Sequence, residues 1–218
     1  MSDVLVQSAP RTVIRELPKI LFYSDGGIYL KDVRLSYPHL DKPWAMTDRG
    51  EKKYQLMGLV PKLPEYRESI DALNRYLDEF LAERKLQPLP QARKFLRNGD
   101  DTGKPEMMNH WTVSASEKQE PRLRGRHIDQ RTGTLEIIPP EEAAKVFYGG
   151  CWANILIKAW YQDHPEGGRR LNANLHAVQF VRHDKPFGRG RISDAVIDET
   201  FGEIPDEDGG YEGASYDL

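Results

Sequence analysis

Two kinds of side chain alternate along VFYGGCWANILIKAWY, which spans Val146 to Tyr161. Successive residues of a β-strand point to opposite faces of a sheet, so every second residue shares a face. One face has small and branched apolar residues that suit a core: Cys151, Ala153, Ile155, Ile157, Ala159 and Tyr161. The other face has two indoles on either side of an amide and a cation: Trp152, Asn154, Leu156, Lys158 and Trp160.

The second face indicates a surface that another molecule covers, because a large apolar patch facing water usually marks a contact site. Its occupant is either a second layer of protein or unpaired nucleic-acid bases, which stack on aromatic rings at about 1 to 3 kcal/mol each. A strand buried on both faces fits this segment equally well when the segment is considered alone.

A partner for this strand follows it in the chain. The turn-forming segment from Asp163 to Gly168 comes first, and an alternating segment comes next. The apolar positions of that segment are Leu171, Ala173, Leu175, Ala177 and Val181. They match the small apolar face of the first strand in kind, so we predict that the two strands form an antiparallel hairpin.

Three other segments have the alternation of strands. They are Ile28 to Tyr37, Lys53 to Val60 and His110 to Ser116. In the first of them the apolar phase switches between Leu30 and Val33, which indicates a β-bulge. We therefore predict five strands in total, with a bend in the earliest one.

One helix is predicted between the strands. Pro64 suits the first turn of a helix, and apolar residues then recur three or four positions apart until about Lys85. The apolar stripe consists of Tyr66, Ile70, Leu73, Leu77 and Leu81. Two charged segments, Pro38 to Lys52 and the strongly basic Lys118 to Gly133, are predicted as loops. The fold class is therefore mainly β with one helix, a small five-stranded β-barrel with long basic loops.

Acidic residues are concentrated at the end of the chain. The 218 residues include 31 basic and 34 acidic ones, but nine acids and no base follow Arg191. Residues 1–191 consequently have a net charge of +6, although the whole chain has −3. This segregation predicts a basic body with a flexible acidic tail that occupies the basic groove when nucleic acid is absent and otherwise contacts other proteins. The apolar anchors predicted for that contact are Phe201, Tyr211, Tyr216 and Leu218.

The single cysteine, Cys151, excludes an intramolecular disulfide. No apolar run approaches the roughly 20 residues that a membrane span needs, and no secretory leader opens the sequence. We expect a protein of the cytoplasm that does not bind membranes.

Nucleic-acid binding is the first function class that the residues suggest. Cations lie beside aromatic rings in several segments, and Arg122, Arg124 and Arg126 form a ladder with spacing two. Cations attract phosphates without regard to sequence, and rings accept any base, so the combination predicts a groove for single strands. Each cation–ring pair, considered alone, also fits a solvated charge beside a core ring. The arginine ladder also fits a disordered basic loop.

An enzyme is the second class. The six histidines lack metal-ligand spacing, and no phosphate-binding or dinucleotide motif is present. Asp100, Asp101 and Glu106 are the candidates for a divalent ion in a metal-dependent nuclease or recombination enzyme, although a turn of solvated acids explains them more simply. We expect no cofactor and no resident metal. A third alternative is a protein-interaction scaffold with both tryptophans buried against a partner.

The residues resemble those of a known family, the bacteriophage single-stranded DNA-binding proteins of the replication machinery. The similar segments span about residues 27–188. They are VRLSYPHL, KKYQLMGLVPK, FLRNGD, HWTVSASEKQEPRL, FYGGCWANILIKAWY and LNANLHAVQFVRHDKPFG.

The resemblance implies an OB-fold core, over residues 27–188, between an N-terminal arm (1–26) and the acidic tail (189–218). It implies sequence-tolerant binding of single-stranded DNA in phage replication and recombination, in the host cytoplasm. It also implies contacts of the tail with replication proteins such as a polymerase or a helicase. A homodimer is one possible assembly. The DNA-facing residues by similarity are Lys53, Tyr54, Lys94, Arg97, Lys104, Trp111, Arg122, Arg124, Trp152, Lys158 and Trp160.

Overall fold

A computed structural model describes residues 11–45, 47–48, 50–187 and 199–201. The strands in these ranges are β1 (Val13–Leu17), β2 (Ile20–Tyr23), β3 (Gly27–Trp44), β4 (Lys53–Pro61), β5 (Leu96–Asn98), β6 (His110–Glu117), β7 (Arg122–Asp129), β8 (Thr134–Ile137), β9 (Trp152–His164) and β10 (Gly168–Arg182). The α-helices are α1 (Pro64–Glu83) and α2 (Pro140–Val146). Short 3-10 turns occupy Gln91–Arg93, Gly99–Thr102 and Pro105–Met107.

The strands form one sheet in the order β5-β6-β4-β3-β9-β10-β7-β8, and the β1-β2 hairpin pairs with β3 through β2. β7 runs parallel to β10, whereas the other neighbouring strands are antiparallel. The predicted mainly β class is confirmed. The predicted five-stranded barrel and single helix are not, because the sheet is open with ten strands and a second helix, α2, precedes β9.

The central hairpin of β9 and β10 has the predicted antiparallel register, with Trp160 opposite Asn172 and Ile157 opposite Leu175. On β9 the alternation is as predicted: Cys151 before the strand, then Ala153, Ile155 and Ile157, are fully buried. On β10 the predicted phase is wrong beyond Leu175. A bulge between Leu175 and Ala177 shifts the register, so Val178 takes the core side and Ala177 faces outward.

The bulge predicted in β3 is present between Leu30 and Val33. Asp32 there has a φ of +52°, and the Tyr66 hydroxyl donates a hydrogen bond to its carbonyl oxygen (3.0 Å). β3 then continues to Trp44, so the loop predicted from Pro38 begins only after the strand ends.

Helix α1 begins at the predicted Pro64 and ends at Glu83, close to the predicted end. All five residues of its predicted apolar stripe are buried in the common core cluster with the inward side chains of the sheet. The periodicity was sufficient here because one face of the helix packs on the core along its whole length.

The N-terminal segment differs from the predicted arm over residues 1–26. From Val13 onward the chain is a hairpin of the sheet, and Ile20 and Phe22 of β2 are buried core residues. Four consecutive apolar or aromatic residues in β2 do not alternate, so periodicity does not reveal this strand.

The basic segment Lys118–Gly133 is also not a loop. β7 and the start of the β7-β8 hairpin lie in it, and β7 pairs with β10 so that Arg122 is opposite Ala177 and Arg124 is opposite Gln179. The pairing is non-local, which a pattern within the segment cannot show.

The chain divides into two units, Met1–Phe187 and Gly188–Leu218. Of the second unit the structure describes residues 199–201, so most of the predicted tail lies outside the described residues. In the described ranges no helix has the length and apolar character that crossing a bilayer requires.

Candidate nucleic-acid interface

The side chains that β9 and β10 direct away from the core form one surface, here named the outer face. Its members on β9 are Trp152, Asn154, Leu156, Lys158 and Trp160, and those on β10 are Asn172, Asn174, Ala177 and Gln179. None of these side chains is fully buried, in contrast to the alternate positions on the same strands. The sequence prediction of a distinct second face on β9 therefore holds in the structure.

A row of side chains extends the outer face across four strands. Leu156 is opposite Tyr29 of β3 on one side and Ala177 of β10 on the other, and Ala177 is opposite Arg122 of β7. The next row is held by hydrogen bonds to one amide oxygen: Oε1 of Gln179 accepts from the Tyr29 hydroxyl (3.1 Å) and from Nδ2 of Asn154 (3.0 Å). These bonds hold the polar centre of the face in a fixed arrangement.

An open cleft of about 470 Å³ lies on this surface. Lys158 and Arg122 line it, together with Leu156 and the exposed His176 at the β10 bulge. Acidic residues also line the cleft, and one of them, Asp25, forms an ion pair with Arg11 (3.2 Å). Neither Lys158 nor Arg122 forms an ion pair with a carboxylate of the described residues, although Asp25, Glu117 and Glu120 line the same cleft.

Trp160 and Trp152, which the sequence treats alike, have different surroundings. Trp160 is 38% exposed, and among the described residues no ring or cation packs on its indole. Trp152 is half-buried: its Nε1 donates to Oδ2 of Asp184 (2.7 Å), and the Arg182 guanidinium lies 4.1 Å from the ring centroid. The indole hydrogen bond holds the pKa of Asp184 below its ordinary value. Trp152 is thus bound to the segment after β10, whereas Trp160 presents an open ring.

The same segment is fixed by Arg34 of β3. Its guanidinium donates to the carbonyl oxygens of Gly150 (2.9 Å) and Lys185 (2.7 Å), and it stacks over the Phe187 ring at 4.3 Å. The chain after β10, as far as residue 187, therefore lies beside Arg34 of β3 and Trp152 at the start of β9.

Several other residues predicted to face DNA lie elsewhere. Lys94 is buried, and its Nζ forms an ion pair with Asp78 of α1 (2.6 Å). Lys53 and Tyr54 point to opposite faces of β4, and Lys53 pairs with Glu51 (3.0 Å). Lys94 is therefore not exposed on the outer face, and Lys53 and Tyr54 lie on β4, which is not a neighbour of β9 or β10.

Two further residues sit in small clusters of their own. Lys104 Nζ lies 4.5 Å from the Tyr37 ring centroid. Trp111 lines a second cleft of about 270 Å³ with residues of α1, and Lys62 Nζ is 5.4 Å from its ring centroid.

Arg124 shares the face of Arg122 on β7 and is partly buried.

Arg97 lies on β5, which is at the end of the strand order. Its Nη2 donates to the Ser114 hydroxyl (3.3 Å), and its buried Nε has no hydrogen-bond partner among the described residues. Burial lowers the pKa of the Arg97 guanidinium, and nearby Arg170 lowers it further.

The four residues predicted for tail interactions are only partly described. Phe201 is 73% exposed. Tyr211, Tyr216 and Leu218 lie outside the described residues.

The three carboxylates of the nuclease alternative have other partners. Asp100 accepts from Lys62 Nζ and from the Asn109 amide (2.7 Å), Asp101 accepts from Asn98, and Glu106 accepts from the Tyr37 hydroxyl (2.9 Å). The described part of the chain contains no group of three or more acidic, histidine or cysteine side chains that suits a metal ion. Cys151 is buried, and burial raises the pKa of its thiol to about 11, which makes it a poor nucleophile.

Sequence reasoning missed several residues of the outer face. Tyr29, Gln179 and Arg170 belong to it through the register of β3 and β10 with β9. Arg170 could have been predicted from the sequence, because it shares the alternation of Asn172 and Asn174 along β10. Gln179 could not, because the bulge at residues 175–177 reverses the phase before it.

The profile of the family described as Enterobacter phage Enc34, ssDNA-binding protein, matches residues 27–211. The structure of the single-stranded DNA-binding protein from bacteriophage Enc34 in complex with ssDNA superposes with a TM-score of 0.72 at 31% sequence identity, covering 83% of this chain and 100% of that chain.

Two more distant similarities agree with this match. Protein p50 of Acyrthosiphon pisum secondary endosymbiont phage 1 is 26% identical over 174 residues, which are 76% of this chain and 89% of that protein. The single-stranded DNA-binding protein gp2.5 of bacteriophage T7 shares the fold, with a TM-score of 0.51 at 12% identity over 77% of this chain and 97% of that chain. The resemblance predicted from the sequence is confirmed: the chain belongs to the phage single-stranded DNA-binding protein family represented by the Enc34 protein.

Proposed function

We propose that this protein binds single-stranded DNA, without cutting it and without reading its sequence, through the outer face of β9 and β10. The observation that carries the proposal is the open Trp160 ring beside Lys158 on a face that continues to Arg122. An exposed indole accepts any base, and unpaired cations attract the phosphates on either side. Family membership supports the same ligand, since the Enc34 relative has been solved in complex with ssDNA.

The DNA-binding domain, predicted over residues 27–188, has an OB-type arrangement of strands and also includes the β1-β2 hairpin. Residues 189–218 form the acidic tail. The protein acts in phage DNA replication and recombination in the host cytoplasm, and the tail contacts replication proteins. The nine acids and the apolar residues of the segment after Arg191 support a role in protein contacts.

The test uses the two indoles that have the same exposure. Trp160 and Trp44 are each 38% exposed, but Trp44 stacks on His39 at 4.6 Å in the part of β3 that pairs with β4 and not with β9. We expect Trp160→Leu to weaken binding of a labelled oligo(dT) by about 5-fold to 150-fold, the equivalent of one base stack of 1 to 3 kcal/mol. Trp44→Leu should bind as the wild type does. Equal losses in both variants, or no loss in Trp160→Leu, would contradict the proposed face.

The same titration, repeated at several salt concentrations, tests the electrostatic part. Each phosphate neutralised on a single strand contributes about −0.7 to the slope of log Kobs against log salt. A slope of several times that value is expected. Binding that does not respond to salt would exclude a phosphate-binding groove.

A further inference from the structure

Three arginines converge at the end of the β9-β10 hairpin. Arg93 Nη1 and Arg170 Nε both donate to the carbonyl oxygen of Gly167, at 3.3 and 3.4 Å. Arg170 is also near enough to Arg97 to lower the pKa of that guanidinium. These three residues are named the arginine cluster.

The fold brings the cluster together from separate segments. An isolated parallel bridge joins Lys94 to Leu171, which places the chain between Arg93 and β5 next to the start of β10. Arg93 and Arg97 come from one side of this bridge, and Arg170 comes from the other. The arrangement is therefore set by backbone pairing, not by flexible side chains alone.

The cluster lacks the counter-charges that arginines in proteins usually have. Within the described ranges, none of its members forms an ion pair, whereas the neighbouring Arg169 pairs with Asp163 (3.6 Å). The buried Nε of Arg97 has no acceptor, and leaving such a donor unsatisfied is costly. Like charges held together without a counter-charge indicate a site for an anion that the protein itself does not supply.

The cluster also continues the outer face. Asn172 is opposite Trp160, and its Nδ2 donates to Oε1 of Gln162, the residue opposite Arg170 (2.8 Å). Residues two positions apart on a strand share a face, so Arg170 lies on the same face as Asn172, one step beyond Trp160. A strand of DNA stacked on Trp160 would reach the cluster with its next phosphates.

We propose that Arg93, Arg97 and Arg170 bind a backbone phosphate of the DNA strand that passes over Trp160. A phosphodiester suits the cluster because planar guanidinium groups bind its oxygens in pairs. The inference depends on the proposed function, since it assigns one end of the same binding path. It adds Arg93 to the interface and assigns a ligand to Arg97 and Arg170.

The experiment compares Arg170→Gln with Arg169→Gln, the same change one residue away on the opposite side of β10. Both full-length variants and the wild type are titrated with oligo(dT) at several salt concentrations, and their folding is checked by thermal unfolding. Arg170→Gln should bind about tenfold more weakly, with a salt slope shallower by about 0.7, the value of one phosphate contact. Arg169→Gln should match the wild type.

A second variant, Arg170→Lys, separates charge from shape. It keeps the cation but loses the planar fork, so the wild-type slope should remain while the affinity falls. If Arg170→Gln proves too unstable to measure, Arg170→Lys still tests the inference, because it retains the positive charge.

The remaining outcomes separate this inference from the proposed function. If the wild type binds oligo(dT) and Arg170→Gln has the same affinity and slope, the cluster does not hold a phosphate, and the proposed function stands. Tighter binding by Arg170→Gln would also overturn the inference, because it would mean that the cluster holds acidic residues of the chain itself. If the wild type does not bind oligo(dT), the proposed function fails first.

Discussion

Individual residues of the same type have different roles in this protein because their partners differ. Lys158 is exposed in a cleft and forms no ion pair with a described carboxylate, whereas Lys94 is only 6% exposed in its side chain and bonded to Asp78. Trp160 presents an open ring, whereas Trp152 is bonded to Asp184. The sequence alone therefore does not show which cations and indoles have protein partners and which are exposed without one.

The two lysines give a prediction at this scale. Lys94→Ala removes a buried stem and an ion pair, so we expect the free energy of unfolding to fall by about 1 to 3 kcal/mol. Its affinity for oligo(dT) should not change. Lys158→Ala should show the reverse, with weaker DNA binding and unchanged stability, as measured by urea unfolding and by titration of the same preparations. Loss of DNA affinity without loss of stability in Lys94→Ala would assign that lysine to the interface instead.

Among the secondary-structure elements, α1 and the bulged strands determine where the outer face lies. The apolar stripe of α1 packs in one core cluster with the inward side chains of β9 and β10. The described residues of this stripe therefore do not cover the outer face. The bulge in β10 then turns Ala177 and Gln179 outward beside Leu156 and Asn154. Without it, Gln179 would point into the core, where its amide would lose the two hydrogen bonds that it now accepts.

The helix gives a prediction at this scale. Leu77 is fully buried in the middle of the α1 stripe. Leu77→Ala should lower the free energy of unfolding by about 2 to 5 kcal/mol, because it leaves a cavity in the core. Arg75→Ala, an exposed position on the same helix, is the control and should change stability by less than about 0.5 kcal/mol. Similar unfolding midpoints for the two variants would show that α1 contributes little to the core.

The charge of the whole molecule is divided along the chain. Residues 1–191 contain all 31 basic residues, and the 27 residues after Arg191 contain nine acids. A polyanionic segment covalently linked to a DNA-binding domain competes with DNA at a high effective concentration.

Removal of the acidic segment therefore gives a prediction for the whole molecule. A chain that ends at residue 191 should bind oligo(dT) more tightly than the full chain at low salt, and the difference should shrink as salt screens the segment. A full-length variant with the nine acids changed to Asn or Gln is the control for chain length and should resemble the truncated chain. Equal affinities of the full and truncated chains would show that the segment does not compete for the groove.

Much of the fold was predictable from local patterns. The β9 faces, the β9-β10 hairpin, the bulge in β3 and the limits of α1 follow from residue periodicity and turn residues, since each depends on neighbours within about ten positions. β2, β7 and the second half of β10 were not predictable in this way. β2 is buried on both sides, β7 is stabilised by parallel pairing with a distant strand, and β10 changes phase at a bulge.

The sequence by itself determined the alternation that gives β9 a core face and an outer face, the excess of positive charge before residue 191, and the family to which the chain belongs. Only the tertiary structure decided which cations and rings are available, since that depends on partners far away in the chain. Asp78 binds Lys94, Asp184 binds Trp152, and the bridge from Lys94 to Leu171 brings Arg97 near Arg170. Periodicity is a property of neighbouring residues, whereas the pairing of charges is a property of the packed molecule.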